Sequence, residues 1–126
     1  MSGTIILDSE SLISALARYE FKVIVEGRII ADGTEQIILD ANGGTVVLGY
    51  VDLSEMQTGD VVVIKTYVKV RSDADYKIYA SQEYIDAQSE PIVYILPKYT
   101  ANGLRITLQQ TKGVYRSFSY IFIKVI

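Results

Sequence analysis

Apolar and polar positions alternate with a period of two along most of this chain. The clearest run is Asp60 to Arg71. Val62, Ile64, Thr66, Val68 and Val70 fall on one face, and Lys65, Tyr67, Lys69 and Arg71 on the other. Successive side chains of a strand point to opposite faces, so this run predicts a strand with one buried and one wet face. Strands are likewise predicted over residues 19–30, 35–40, 45–51, 76–84, 103–110 and 114–126, and over the short apolar run 92–96. Ile37 and Leu39 are expected inward in one of them, and Leu104, Ile106 and Leu108 in another, with Arg105, Thr107 and Gln109 outward. Turn chemistry separates the runs: Ala31-Asp-Gly-Thr34, Ala41-Asn-Gly-Gly44, Ser72-Asp-Ala-Asp75 and Thr111-Lys-Gly113. Residues 52–59 break the period and predict a loop with one helical turn at 54–57, ended by Gly59. Pro91 and Pro97 bound the run 92–96, since neither can donate to a ladder.

The first 18 residues read differently. Thr4–Leu7 is short and apolar. Asp8 and Ser9 suit an N-cap, and Glu10 suits the first turn of a helix. Leu12, Ala15, Leu16 and Tyr19 follow at helical spacing, which predicts a helix over 9–18. So short a helix is marginal alone and needs a surface to pack on. Residues 1–18 are thus expected as an arm with a short helix, and 19–126 as a single β domain. Eight strands with regular turn signals, and no strand–helix alternation, predict an all-β, eight-stranded antiparallel sandwich. Jelly roll and other Greek-key strand orders both fit.

Composition narrows the chemistry. The 126 residues suit one domain. Net charge is −3, so no basic excess exists to neutralise phosphates, and direct nucleic-acid binding is not expected. The chain has no cysteine and no histidine. That removes disulfides, thiolate metal sites and the commonest general base and zinc ligand. Asp73, Asp75 and Glu90 lack the EF-hand spacing, and nothing in the sequence places Asp52, Glu55 and Asp60 face to face. No phosphate loop or nucleophile motif is present. The expectation is a non-enzymatic protein without cofactor or metal. The N-terminus lacks the basic and cleavage features of a signal peptide. No apolar run approaches the ~20 residues of a membrane span.

The last strand is the anomaly. Phe118, Tyr120 and Phe122 share one face, and Ile121, Ile123 and Val125 the other. Both faces are apolar, where a sandwich strand should wet one. The outer face is covered either by the chain's own N-terminal helix or by another subunit. Ile121, Ile123 and Val125, with Leu12 and Leu16, are the expected subunit contacts. A second surface, Tyr67, Tyr79 and Lys69 with neighbouring cations, is a possible ligand face. Ten tyrosines and no tryptophan suit strand faces and interfaces.

Three runs carry a resemblance: Ala31-Asp-Gly-Thr-Glu-Gln36, Gly49-Tyr-Val-Asp-Leu-Ser-Glu-Met-Gln-Thr-Gly-Asp60 and Ile106-Thr-Leu-Gln-Gln-Thr-Lys-Gly-Val-Tyr-Arg-Ser-Phe118. From residue 31 to 120 the chain resembles small uncharacterised proteins of phages, archaeal viruses and proviruses. The resemblance implies a capsid or other virion structural protein, made in a host cytoplasm. Its partners would be copies of itself or other virion proteins. The alternative is a carbohydrate- or ligand-binding sandwich module.

Overall fold

The computed structural model describes residues 20–126. The expected arm and helix, with Leu12 and Leu16, lie outside the described residues. Eight strands follow in order: β1 (Phe21–Ile30), β2 (Gln36–Ala41), β3 (Val46–Asp52), β4 (Val61–Val68), β5 (Lys77–Ile85), β6 (Ile92–Tyr99), β7 (Leu104–Lys112) and β8 (Ser117–Val125). Each corresponds to one predicted run. The described residues contain no helix; the segment 53–59 is a pair of turns, closed by Met56 N–H to Leu53 O (3.2 Å) and Asp60 N–H to Gln57 O (3.0 Å).

All pairings are antiparallel. β1 pairs with β8, β2 with β7, β3 with β6 and β4 with β5. The chain therefore doubles back on itself as one long ribbon with the β4–β5 connection at its tip. Two further pairings, β3 with β8 and β4 with β7, divide the ribbon into two four-stranded sheets. Their orders are β1-β8-β3-β6 and β2-β7-β4-β5. Val47, Val51, Ile95, Phe118 and Phe122 of the first sheet share a core with Leu39, Val62, Ile64, Leu104, Ile106 and Leu108 of the second. Leu53 and Met56 in the 53–59 turns are also buried in this core. Gly49 has no side chain for a reason: a Cβ there would stand 2.2 Å from the Ile121 carbonyl oxygen and 2.5 Å from the Phe122 ring.

Several strand details differ from the sequence reading, and each has a local cause. β6 does not stop at Pro97. Leu96 and Pro97 together oppose Leu48 in a bulge, and β6 is an edge strand, so the missing N–H costs no ladder bond. Ile37 is 52% exposed rather than inward, because a register shift between Ile37 and Leu39 turns Ile38 and Leu39 into the core. β4 ends at Val68. Lys69 N–H then bonds Gly103 O at 3.1 Å, and Val70 is left 75% exposed in the connection beyond. Thr107 faces outward as expected but is buried there, with its hydroxyl bonded to Glu35. β8 starts at Ser117, because residues 114–116 bend to meet two buried polar side chains, Asp60 and Gln110.

Candidate functional site

The two sheets have opposite outer faces. In the first sheet, cross-strand register places Phe21 beside Val125, Val23 beside Ile123 and Leu48, and Ile121 beside Tyr50 and Tyr94. Val46 stands beside Tyr99 at the far edge. Phe21 is 58% exposed and Tyr99 64%, and Val23, Tyr50, Tyr94, Ile92 and Leu96 are exposed between them. The Tyr50 and Tyr94 rings pair with centroids 5.2 Å apart. Ile121, Ile123 and Val125 are half-buried in the middle, with neighbours on both sides within the sheet. Polar groups appear at one end, where Glu26 stands beside Ile121, Arg28 pairs with Ser119 and Ser119 with Asp52. The apolar area covers four strands about 4.8 Å apart in two rows and three strands in a third, the rows about 6.8 Å apart, on the order of 400 Å² with its side chains.

The outer face of the second sheet is polar. Its rows read Asp40, Arg105, Tyr67, Ile78 and then Ile37, Thr107, Lys65, Ser81. Glu35 Oε2 accepts hydrogen bonds from the Tyr67 hydroxyl (2.5 Å) and the Thr107 hydroxyl (2.7 Å). These two bonds hold the Glu35 carboxyl below the usual carboxylate range. The same bond to Glu35 pushes the Tyr67 phenol above its ordinary value, since a phenolate would face a carboxylate. Asp40 accepts from Arg105 Nη2 (2.9 Å) and from the Tyr76 hydroxyl (3.0 Å). The Arg105 guanidinium also lies 4.2 Å from the Tyr76 ring centroid. A cavity of about 340 Å³ opens among Glu35, Ile37, Tyr67, Tyr76, Arg105 and Thr107.

The expected ligand face is thus divided. Tyr67 lines the cavity, and Lys69 Nζ lies 5.2 Å over the Tyr76 ring. Tyr79 sits in a register irregularity of the edge strand β5, with Lys98 Nζ of β6 5.1 Å over its ring. It does not join Tyr67. Glu35, Asp40, Tyr76, Arg105 and Thr107 were invisible as a group in the sequence. Glu35 and Asp40 meet Thr107 and Arg105 through the pairing of β2 with β7, some 65–72 residues apart in the chain, and Tyr76 joins them from the β4–β5 connection.

Asp60 is the one buried carboxylate among the described residues. Its Oδ2 accepts from Arg116 Nε (2.8 Å) and Gln57 N–H (2.8 Å), and its Oδ1 from Val114 N–H (3.2 Å). Burial alone would raise its pKa, but these donors hold the carboxyl below its ordinary value. Gly113 is required beside it: φ is +94°, and a Cβ would stand 2.0 Å from Asp60 Oδ1. Buried Gln110 completes the knot. Its amide bonds Lys112 O, Val114 O and Arg116 N–H. Both Asp60 oxygens and both polar atoms of the Gln110 amide are engaged within the chain, so Asp60 staples loops together.

Comparisons with protein-family models, with curated proteins and with solved structures found no match. They identify no phage or viral relative. Among the described residues, no helix is long and apolar enough to cross a membrane, and no group of three potential metal-ligating carboxylates occurs.

Proposed function

We propose that this chain is a non-enzymatic structural subunit, a jelly roll that assembles with copies of itself as a coat or other virion protein. The observation that carries this reading is the contrast between the two outer faces. A sandwich that lived alone would wet both. Here the β2-β7-β4-β5 face is charged and hydrogen-bonded, while the β1-β8-β3-β6 face presents an apolar field four strands wide. Surface of that kind on a folded domain marks an interface.

The occupant of that face is a second copy. Two such fields pressed together remove on the order of 800 Å² from water, below the ~1,200–2,000 Å² of a stable isolated pair. Buried area does not convert directly into affinity, since association first costs roughly 4–15 kcal/mol of lost freedom. By its area, one contact is therefore modest. A subunit held by several such contacts in a symmetric array gains from each of them. Among the described residues, the sheet edges β1, β6, β2 and β5 add unpaired backbone that neighbours would also protect.

The strand pairing supports the jelly-roll name. A ribbon paired 1 with 8, 2 with 7, 3 with 6 and 4 with 5, wrapped into two sheets, is the double Greek-key arrangement found in viral capsid and lectin domains. The likeness of residues 31–120 to small phage, archaeal-virus and provirus proteins points the same way. In this reading residues 1–18, with their helical spacing of Leu12, Ala15 and Leu16, serve as an assembly arm. Electron microscopy of the purified protein tests the proposal. Rings, tubes or shells are expected; isolated particles of one subunit's mass at every concentration would refute it.

A further inference from the structure

We infer that the cavity on the outer face of the second sheet is a carbohydrate site, separate from the assembly face. The chemistry of its walls selects the ligand. Both hydrogen bonds to Glu35 land on Oε2, and Oε1 receives none from the described residues. Arg105 spends Nη2 on Asp40 and keeps about a third of its side chain exposed, while its Nε is buried out of a ligand's reach. The cavity thus offers one open carboxylate acceptor and the exposed end of a guanidinium as donor on the same surface.

Charge selects neither sign strongly, since two carboxylates, Glu35 and Asp40, stand among three cations, Arg105, Lys65 and Lys69. A free carboxylate would still meet Glu35 and Asp40, and an amine would still meet Arg105. A hydroxyl is different: it donates to Glu35 Oε1 and accepts from Arg105 with the same oxygen. Adjacent hydroxyls on one ring serve both groups at once. Ile37, half exposed on the cavity wall beside the Tyr67 and Tyr76 rings, supplies an apolar surface for the C–H face of that ring. Hydroxyls around the rim and C–H groups on the face describe a pyranose. The cavity, about 340 Å³, lies at the small end of ordinary ligand sites, which suits one sugar ring. The site takes shape only because the β2 bulge turns Ile37 outward, which the sequence period had placed in the core.

The test is saturation-transfer-difference NMR on the full chain, which reads the ligand's signals and so works whether or not the protein assembles. The probes are the methyl glycosides of glucose, galactose, mannose and N-acetylglucosamine. At least one is expected to receive saturation strongest on the C–H protons of one ring face, with a millimolar Kd. Glu35→Gln should weaken binding at least about tenfold, since a bond to a charged group is lost. Ile37→Asp, at an exposed position that leaves the hydrogen-bond network intact, should abolish it, with circular dichroism unchanged. Three results overturn the inference: no transfer to any probe, equal binding by both variants, or displacement of the sugar by sodium acetate at equal concentration. None of them bears on the assembly face.

Discussion

Removing the Asp60 carboxylate should be among the most damaging single changes available to this fold. Asp60→Ala leaves Arg116, whose side chain is 25% exposed, without its partner, and leaves the N–H groups of Gln57 and Val114 without acceptors. Breaking a buried ion pair from one side costs about 3–5 kcal/mol. Arg116 can reach water, which places the expected loss near 3 kcal/mol. For a domain of this size that lowers Tm by roughly 10–15 °C. Asp60→Asn keeps the shape and one acceptor but loses the charge, and should cost about 1.5–3 kcal/mol. Adding Arg116→Leu to Asp60→Ala should recover part of the loss, because no unpaired cation remains. Urea unfolding followed by circular dichroism, at several protein concentrations, measures all three. The sign with pH follows from the lowered carboxyl. Its stabilisation is present above about pH 4 and is lost as pH falls through the depressed folded value, so Asp60→Asn should flatten that acid limb. A loss below about 1 kcal/mol in Asp60→Ala would show that the staple is decorative.

Two further expectations follow from buried or coupled groups. Phe122, fully buried against Gly49, should cost about 3–5 kcal/mol as Phe122→Ala in the same urea assay; a loss under about 1 kcal/mol would mean that the two sheets do not meet there. Tyr67 has a raised phenol, so its contribution is complete below about pH 10 and lost as pH rises through the folded value. Ultraviolet titration should show late-ionising phenols, one fewer in Tyr67→Phe, and Glu35→Gln should let Tyr67 ionise earlier.

Most of the eight strands were legible as runs of alternating residues between turn signals, and residues 92–96 as an apolar run between two prolines, and local signals survive in the fold. The boundaries that moved did so for non-local reasons. Pro97 stays inside β6 only because that strand is an edge, and edge position is a property of the whole sheet. Ile37 faces out because a bulge against β7 resets the alternation. The start of β8 is delayed by Asp60 and Gln110, 56 and 6 residues from the Arg116 that they hold. The apolar outer face was half visible. The doubled apolar pattern of 118–125 announced it, but Phe21, Leu48 and Tyr94 joined it only through the order β1-β8-β3-β6. The polar cavity was nearly invisible. Tyr67 was recognised, and its partners Glu35 and Thr107 come from strands that no local pattern pairs.

Sedimentation velocity on the wild-type chain and on Ile123→Asp bears most directly on the claim that the β1-β8-β3-β6 face joins copies. Ile123 lies at the centre of that face, between Val23 and Leu48, with its side chain away from the core. The wild-type chain should sediment as a species much heavier than 14.0 kDa, and Ile123→Asp as a monomer with an unchanged circular dichroism spectrum. A wild-type chain that stays monomeric up to millimolar concentration, or a variant that assembles as the wild type does, would contradict it.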